Sequence, residues 1–184
     1  VRDVLRAGVV SWLPNAIVLT GQWLGLLVVF GSSGAFEAGS YYVAYMISFF
    51  VVSLASSTSA LLLPVLSGMA DGRKRACGAV LRLGLLVTAP LALALAAYPE
   101  APLGLLGREY VAASRALVVL LASSLLAVYV SAVTSLAYAY DSYGAVLGIG
   151  VATSLLRIAL YYLLVPSMGG LGAALAFLAG SAYT

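Results

Sequence analysis

The sequence predicts an all-α fold, a polytopic transmembrane helix bundle of about six spans. Three observations predict it. Of the 184 residues, 64% are hydrophobic and only 8% charged. Mean hydropathy is +1.11. The apolar residues are gathered into long runs separated by short, turn-forming connections. Soluble globular domains carry roughly 25% charge, so this composition argues against a water-soluble fold.

Five full apolar segments lie near residues 9–30, 42–66, 76–98, 117–138 and 143–165, and a sixth, truncated, runs over 169–184. Each full segment reaches the ~20 residues a span needs. Helices are required, because at this length only a helix satisfies every backbone group in lipid. The connections carry turn formers: Gly31, Ser32, Ser33 and Gly34; Asp71 and Gly72; Pro99, Pro102 and Gly104; Asp141 and Ser142; Pro166, Gly169 and Gly170. Residues 1–184 therefore read as a single transmembrane helical unit. Residue 1 is Val, and the last segment is apolar to its end, so the sequence is expected to be a piece of a longer protein. Arg2 and Arg6 precede an apolar run too long for the core of a cleavable signal peptide.

Orientation follows from Lys and Arg. With the amino end cytoplasmic, the inner side receives Arg2, Arg6, Arg73, Lys74, Arg75 and Arg82, and the outer side Arg108 and Arg115. Glu37, Glu100 and Glu109 then fall outside. The net charge of +3 thus reads as topology, not as a nucleic-acid surface. The basic run at 73–75 has lipid head-group contact as its second reading.

Polar residues recur at helical spacing within four segments. These are Ser11, Asn15 and Gln22; Tyr41, Tyr45, Ser48, Ser56 and Ser59; Ser124, Ser131, Ser135 and Tyr138; and Gly150, Thr153, Ser154, Arg157 and Tyr161. Helix–helix contact explains most Ser and Thr taken singly, and Gly144 with Gly148 reads as packing. A water-filled cavity is the other reading. Its lining would be Arg157, Asn15, Gln22, Ser48, Thr153, Ser154 and Tyr161.

Arg157 stands apart. It lies about 20 Å along its helix from Tyr143, and roughly eight residues remain before Pro166, a reach of ~12 Å that strains an arginine side chain. A guanidinium at that depth costs at least about 2.5 kcal/mol. No acid lies mid-span in the sequence. Arg157 is therefore expected either to pair with an acid on a helix outside this sequence or to line a water-filled cavity for an anionic substrate. Arg82 and Arg115 lie near segment ends, where snorkelling suffices.

Enzyme chemistry finds little support. There is no His, and the six acids lie at segment ends and in connections. A single cysteine, Cys77, leaves no disulfide framework or Cys-based metal site within the chain. No catalytic residue, metal or cofactor is expected.

The motifs along the chain resemble a known group. Residues 37–44, Glu-Ala-Gly-Ser-Tyr-Tyr-Val-Ala, are similar to the "G-x-Y-x-x-A" opening of a helix in polysaccharide flippases. In that family the helix ends in a Pro, then a Ser and a small basic loop, as at Pro64, Ser67 and 71–75 here. An outer loop "L-x-G-x-x-Y-x-x-A" is similar to the run holding Leu106, Gly107, Tyr110 and Ala113, and a polar turn is matched by residues 139–143. "P-x-x-G-x-x-G-A-A" is matched by Pro166, Gly169, Gly172, Ala173 and Ala174. Their order resembles the second half of the multidrug/oligosaccharidyl-lipid/polysaccharide exporter superfamily, in its lipid-linked oligosaccharide flippase branch. The resemblance implies a V-shaped transporter of two six-helix lobes, MATE-like in build, that rock about a central cavity. This chain would be the carboxyl-terminal lobe, with an amino-terminal lobe of the same protein and membrane lipids as partners. It would sit as a multi-pass protein in the plasma membrane. The substrate would be an anionic lipid-linked glycan, its pyrophosphate held by Arg157. Rivals are a lipid II flippase or a drug exporter of the same superfamily, an intramembrane polyprenyl-phosphate enzyme, and a non-transporting assembly subunit.

Overall fold

The computed structural model describes residues 16, 19–21, 23–60, 72–140 and 142–183. Among these residues every secondary-structure element is a helix. Helix α1 is described over Leu19–Ser33 apart from Gln22. It is followed by α2 (Ala35–Ala60), α3 (Arg73–Ala97), the short α4 (Glu100–Leu106), a 3-10 turn (Arg108–Ala113), α5 (Ser114–Ala139) and α6 (Tyr143–Tyr183). Four of these, α2, α3, α5 and α6, are long and apolar enough to cross a membrane, which marks a membrane-embedded protein.

Helix α5 is the hub, packing against α2, α3 and α6. Its Leu117, Leu120 and Leu121 form the centre of the core with Val29, Val51 and Val165. A smaller cluster, Cys77 and Ala132 with Leu136 and Ala139 around them, closes the other end, where α3 begins and α5 finishes. Large apolar side chains such as Leu86, Leu93, Leu155 and Leu163 point outward. An apolar exterior around an apolar core is stable only where the surroundings are themselves apolar.

Two glycines reverse the chain. Gly34, at φ 87, separates α1 from α2. The two helices then run side by side, with Leu19, Trp23 and Leu26 facing Tyr42, Tyr45 and Phe49 across an apolar groove. Gly169, at φ 56 and ψ −134, interrupts α6. Arg157 and Ser181 are 24 positions apart, about 36 Å along a straight helix. Yet Arg157 Nη2 donates to Ser181 Oγ over 2.9 Å. Helix α6 is therefore a hairpin of two arms, 143–168 and 170–183, with Gly169 at its tip. Both glycines hold left-handed backbone conformations that a Cβ disfavours.

The sixth segment, expected to open at Gly169, thus begins at the tip of this hairpin. Several boundaries differ from those expected. The second segment begins at Ala35, not near Tyr42, because Glu37 and Ser40 are polar without breaking the helix; Ser40 returns its hydroxyl to the Phe36 carbonyl over 2.9 Å. Ser32 and Ser33 also stay helical, and only Gly34 breaks. Pro166 sits inside the first arm instead of ending it, as Pro90 sits inside α3. Intramembrane helices tolerate proline where neighbouring groups re-satisfy the freed carbonyl. The expected outer loop around 99–110 is α4 and the 3-10 turn.

Candidate functional site

Arg157 lies on the first arm of α6, about 18 Å from the hairpin tip at 1.5 Å per residue. Because the helix runs past Pro166, Arg157 is deeper than the sequence spacing implied. Its side chain is 9% exposed. The guanidinium carbon sits 4.4 Å from the centre of the Phe177 ring, in reach of a cation–π attraction. Nη2 donates to Ser181 Oγ, which in turn donates to the Phe177 carbonyl over 3.0 Å. Nε is buried and has no hydrogen-bond partner among the described residues. Gly180 makes the fit: a Cβ there would overlap the arginine's Cγ and Nε.

An aromatic column continues from this point. Tyr45 meets Phe177 edge-on at 6.0 Å and stacks with Tyr41 at 6.4 Å and Phe49 at 6.2 Å. Spacing of four puts these three rings on one face of α2. Tyr161, one turn beyond Arg157, is 1% exposed. Its ring covers Gly25 of α1, where a Cβ would stand 2.7 Å from Tyr161 Cζ.

The residues expected to line a cavity divide into groups. Arg157, Tyr161, Thr153 and Ser154 are all buried on the first arm of α6. Ser48 is buried too, but its hydroxyl donates to the Leu120 carbonyl of α5 over 3.0 Å, a helix–helix bond. Asn15 and Gln22 lie outside the described residues. Phe177, Gly180 and Ser181 were not expected at the site. Their signal in the sequence is symmetry: Gly169 stands midway between Arg157 and Ser181.

A second polar feature lies at the tips of the hairpins. Glu37 Oε1 accepts the Gly170 backbone N–H over 2.8 Å. The carboxylate occupies the space a Cβ on Gly169 would need. Beside it is a cavity of about 310 Å³ bounded by Ser40, Tyr41, Arg115 and Met168. No three metal-ligating side chains come together among the described residues.

Comparison with known protein families, with curated proteins and with solved structures finds no match to this chain. The site's meaning therefore rests on its own chemistry.

Proposed function

We propose that this chain is part of a membrane transporter that flips or exports a lipid-linked oligosaccharide or polysaccharide precursor by alternating access. The reading rests on the motif resemblance and on one observation. Arg157 is a permanently charged group deep in a membrane helix, and its partners there, Ser181 and Phe177, carry no opposite charge. Ionisable side chains within membrane segments are costly and mark substrate or ion paths. A planar guanidinium matches a pyrophosphate bidentately. In this reading Arg157 neutralises the pyrophosphate while the hydrocarbon tail stays in the bilayer. The chain is the carboxyl-terminal lobe, its amino end faces the cytoplasm, and the membrane is the plasma membrane.

A second reading has its own support. The Ser181 bond and the Phe177 contact also fasten the hairpin arms together, which is what a structural arginine in an assembly subunit would do. Export assays separate the two. Substrate binding requires Arg157→Ala to abolish glycan export at near-normal membrane levels, with Arg157→Lys partly active because a point charge still attracts phosphate. Export at the wild-type rate by Arg157→Ala, or loss of export in proportion to lost protein, would overturn the substrate role.

A further inference from the structure

We infer that the 170–183 arm of α6 is a movable cover over Arg157, hinged at Gly169, so that the site is closed when empty and opens to take an anionic phosphate. The inference rests on the reading of Arg157 as an anion site and adds how that site is regulated.

The hydrogen bond, the ring contact and the tight backbone approach at Arg157 come from one element. The Phe177 ring covers its face, Ser181 accepts from Nη2, and the bare Cα of Gly180 admits its stem. All three lie on the second arm. A hydroxyl oxygen and a π face therefore stand where phosphate oxygens would bind. They are imperfect substitutes: Nε is sealed in with no acceptor among the described residues. An unmade hydrogen bond on a buried charged group is costly, so the closed arrangement leaves unmet exactly the demand a phosphate oxygen would satisfy.

Opening the cover breaks the Ser181 bond, the Phe177 contact with Arg157 and the Tyr45–Phe177 ring contact. The rest of its buried surface is Gly172, Ala173, Ala174, Ala176 and Gly180. Between helices in lipid there is no hydrophobic penalty for parting these, only lost van der Waals contact, and small side chains make little of that. The arms are joined through Gly169, whose φ of 56 already lies outside the helical range. Such a position absorbs a rotation that a side chain would obstruct. The Glu37 carboxylate holds Gly170 at the tip, which fixes the pivot at the end remote from Phe177 and Ser181.

The test uses full-length protein in lipid nanodiscs with Cys77→Ser, carrying spin labels at Ala159→Cys and Ala179→Cys. Both positions are exposed, one on each arm. The probe is farnesyl pyrophosphate, with binding measured separately by equilibrium dialysis. The expected result is a lengthened inter-label distance on adding probe, absent in Arg157→Ala. Loosening the cover with Phe177→Ala should raise probe affinity about tenfold, since a binding-competent state that is rarely populated weakens apparent affinity by that fraction. The milder Ser181→Ala should move affinity the same way and guards against misfolding of the first variant. Arg157-dependent binding with unchanged distances and no affinity gain in either variant overturns the cover and leaves the anion site standing. Binding in the loosened variants but not in the unmodified protein supports the cover. No binding in any of them overturns both.

Discussion

The carboxylate of Glu37 accepts the backbone N–H of Gly170 at 2.8 Å, tying the first turn of α2 to the tip of the α6 hairpin. Gly34 and Gly169, the residues at which the chain reverses, are thereby brought to one end of the bundle. Glu37 caps a helix to which it does not belong, and its negative charge meets the positive end of that helix's dipole.

Glu37→Ala should lower stability by about 1 kcal/mol, the usual worth of an N-terminal cap. Glu37→Gln keeps an acceptor oxygen and loses only the charge, so its loss should be smaller. Gly169→Ala should be worse than either, because it adds left-handed strain and a methyl group that overlaps the carboxylate. Thermal unfolding in detergent, followed by tryptophan fluorescence, gives the order. Equal melting of the Gln and Ala variants would show that the oxygen bonded to Gly170 contributes nothing.

Ser48 tests whether a polar stripe is a cavity wall or a seam between helices. Its hydroxyl is spent on the Leu120 carbonyl. Interhelical hydrogen bonds in membranes average about 0.6 kcal/mol. Ser48→Ala should therefore cost less than about 1 kcal/mol and, under the proposed transporter function, leave glycan export near the unmodified level. A strong export defect with unchanged melting would return Ser48 to the substrate path.

The fold class was legible because lipid imposes one demand on every residue: a run of apolar side chains must be a helix. Boundaries were less legible. Hydropathy marks where side chains favour lipid, whereas a helix continues until a backbone group is lost. Glu37 and Ser40 are thus helical though polar, and Gly169, not Pro166, sets the hairpin. Of the site, Arg157 stood out by its depth, its polar stripe and the lack of a mid-span acid in the sequence. Phe177, Gly180 and Ser181 did not, since an apolar ring, a glycine and a serine in an apolar run look like ordinary packing until the chain is seen to fold back.

Gly84 and Val128 form the tight contact between α3 and α5. A Cβ at Gly84 would stand 2.9 Å from Val128 Cγ1, and Val128 is 1% exposed, so the methyl group has little room to retreat. Gly84→Ala should cost about 1–3 kcal/mol, as overpacking does. Trimming the neighbour as well, with Val128→Ala, should recover part of that loss. The double variant should then melt higher than the sum of the single losses predicts, a coupling read from a thermal double-mutant cycle. Strict additivity would mean that the helices move apart without meeting resistance.

The last prediction concerns orientation. Phe36, Glu37, Ala112, Arg115, Met168 and Gly170 surround one cavity at one end of the bundle. At the other end Cys77 of α3 packs on Ala132 of α5. Arg75 follows the α3 start at that second end, together with Arg73 and Lys74. The first end carries Glu37, Glu100 and Glu109 beside Arg108 and Arg115. Cations are retained on the cytoplasmic side during insertion, whereas acids contribute little. The second end should therefore be cytoplasmic. On a Cys77→Ser background, Lys74→Cys should resist a membrane-impermeant maleimide in intact cells and react after permeabilisation. Glu109→Cys, on the exposed 3-10 turn, should react in intact cells. Modification of position 74 from outside would invert the bundle. The tip where Glu37 holds Gly170 would then face the cytoplasm, and the cover over Arg157 would be hinged at the inner surface of the membrane.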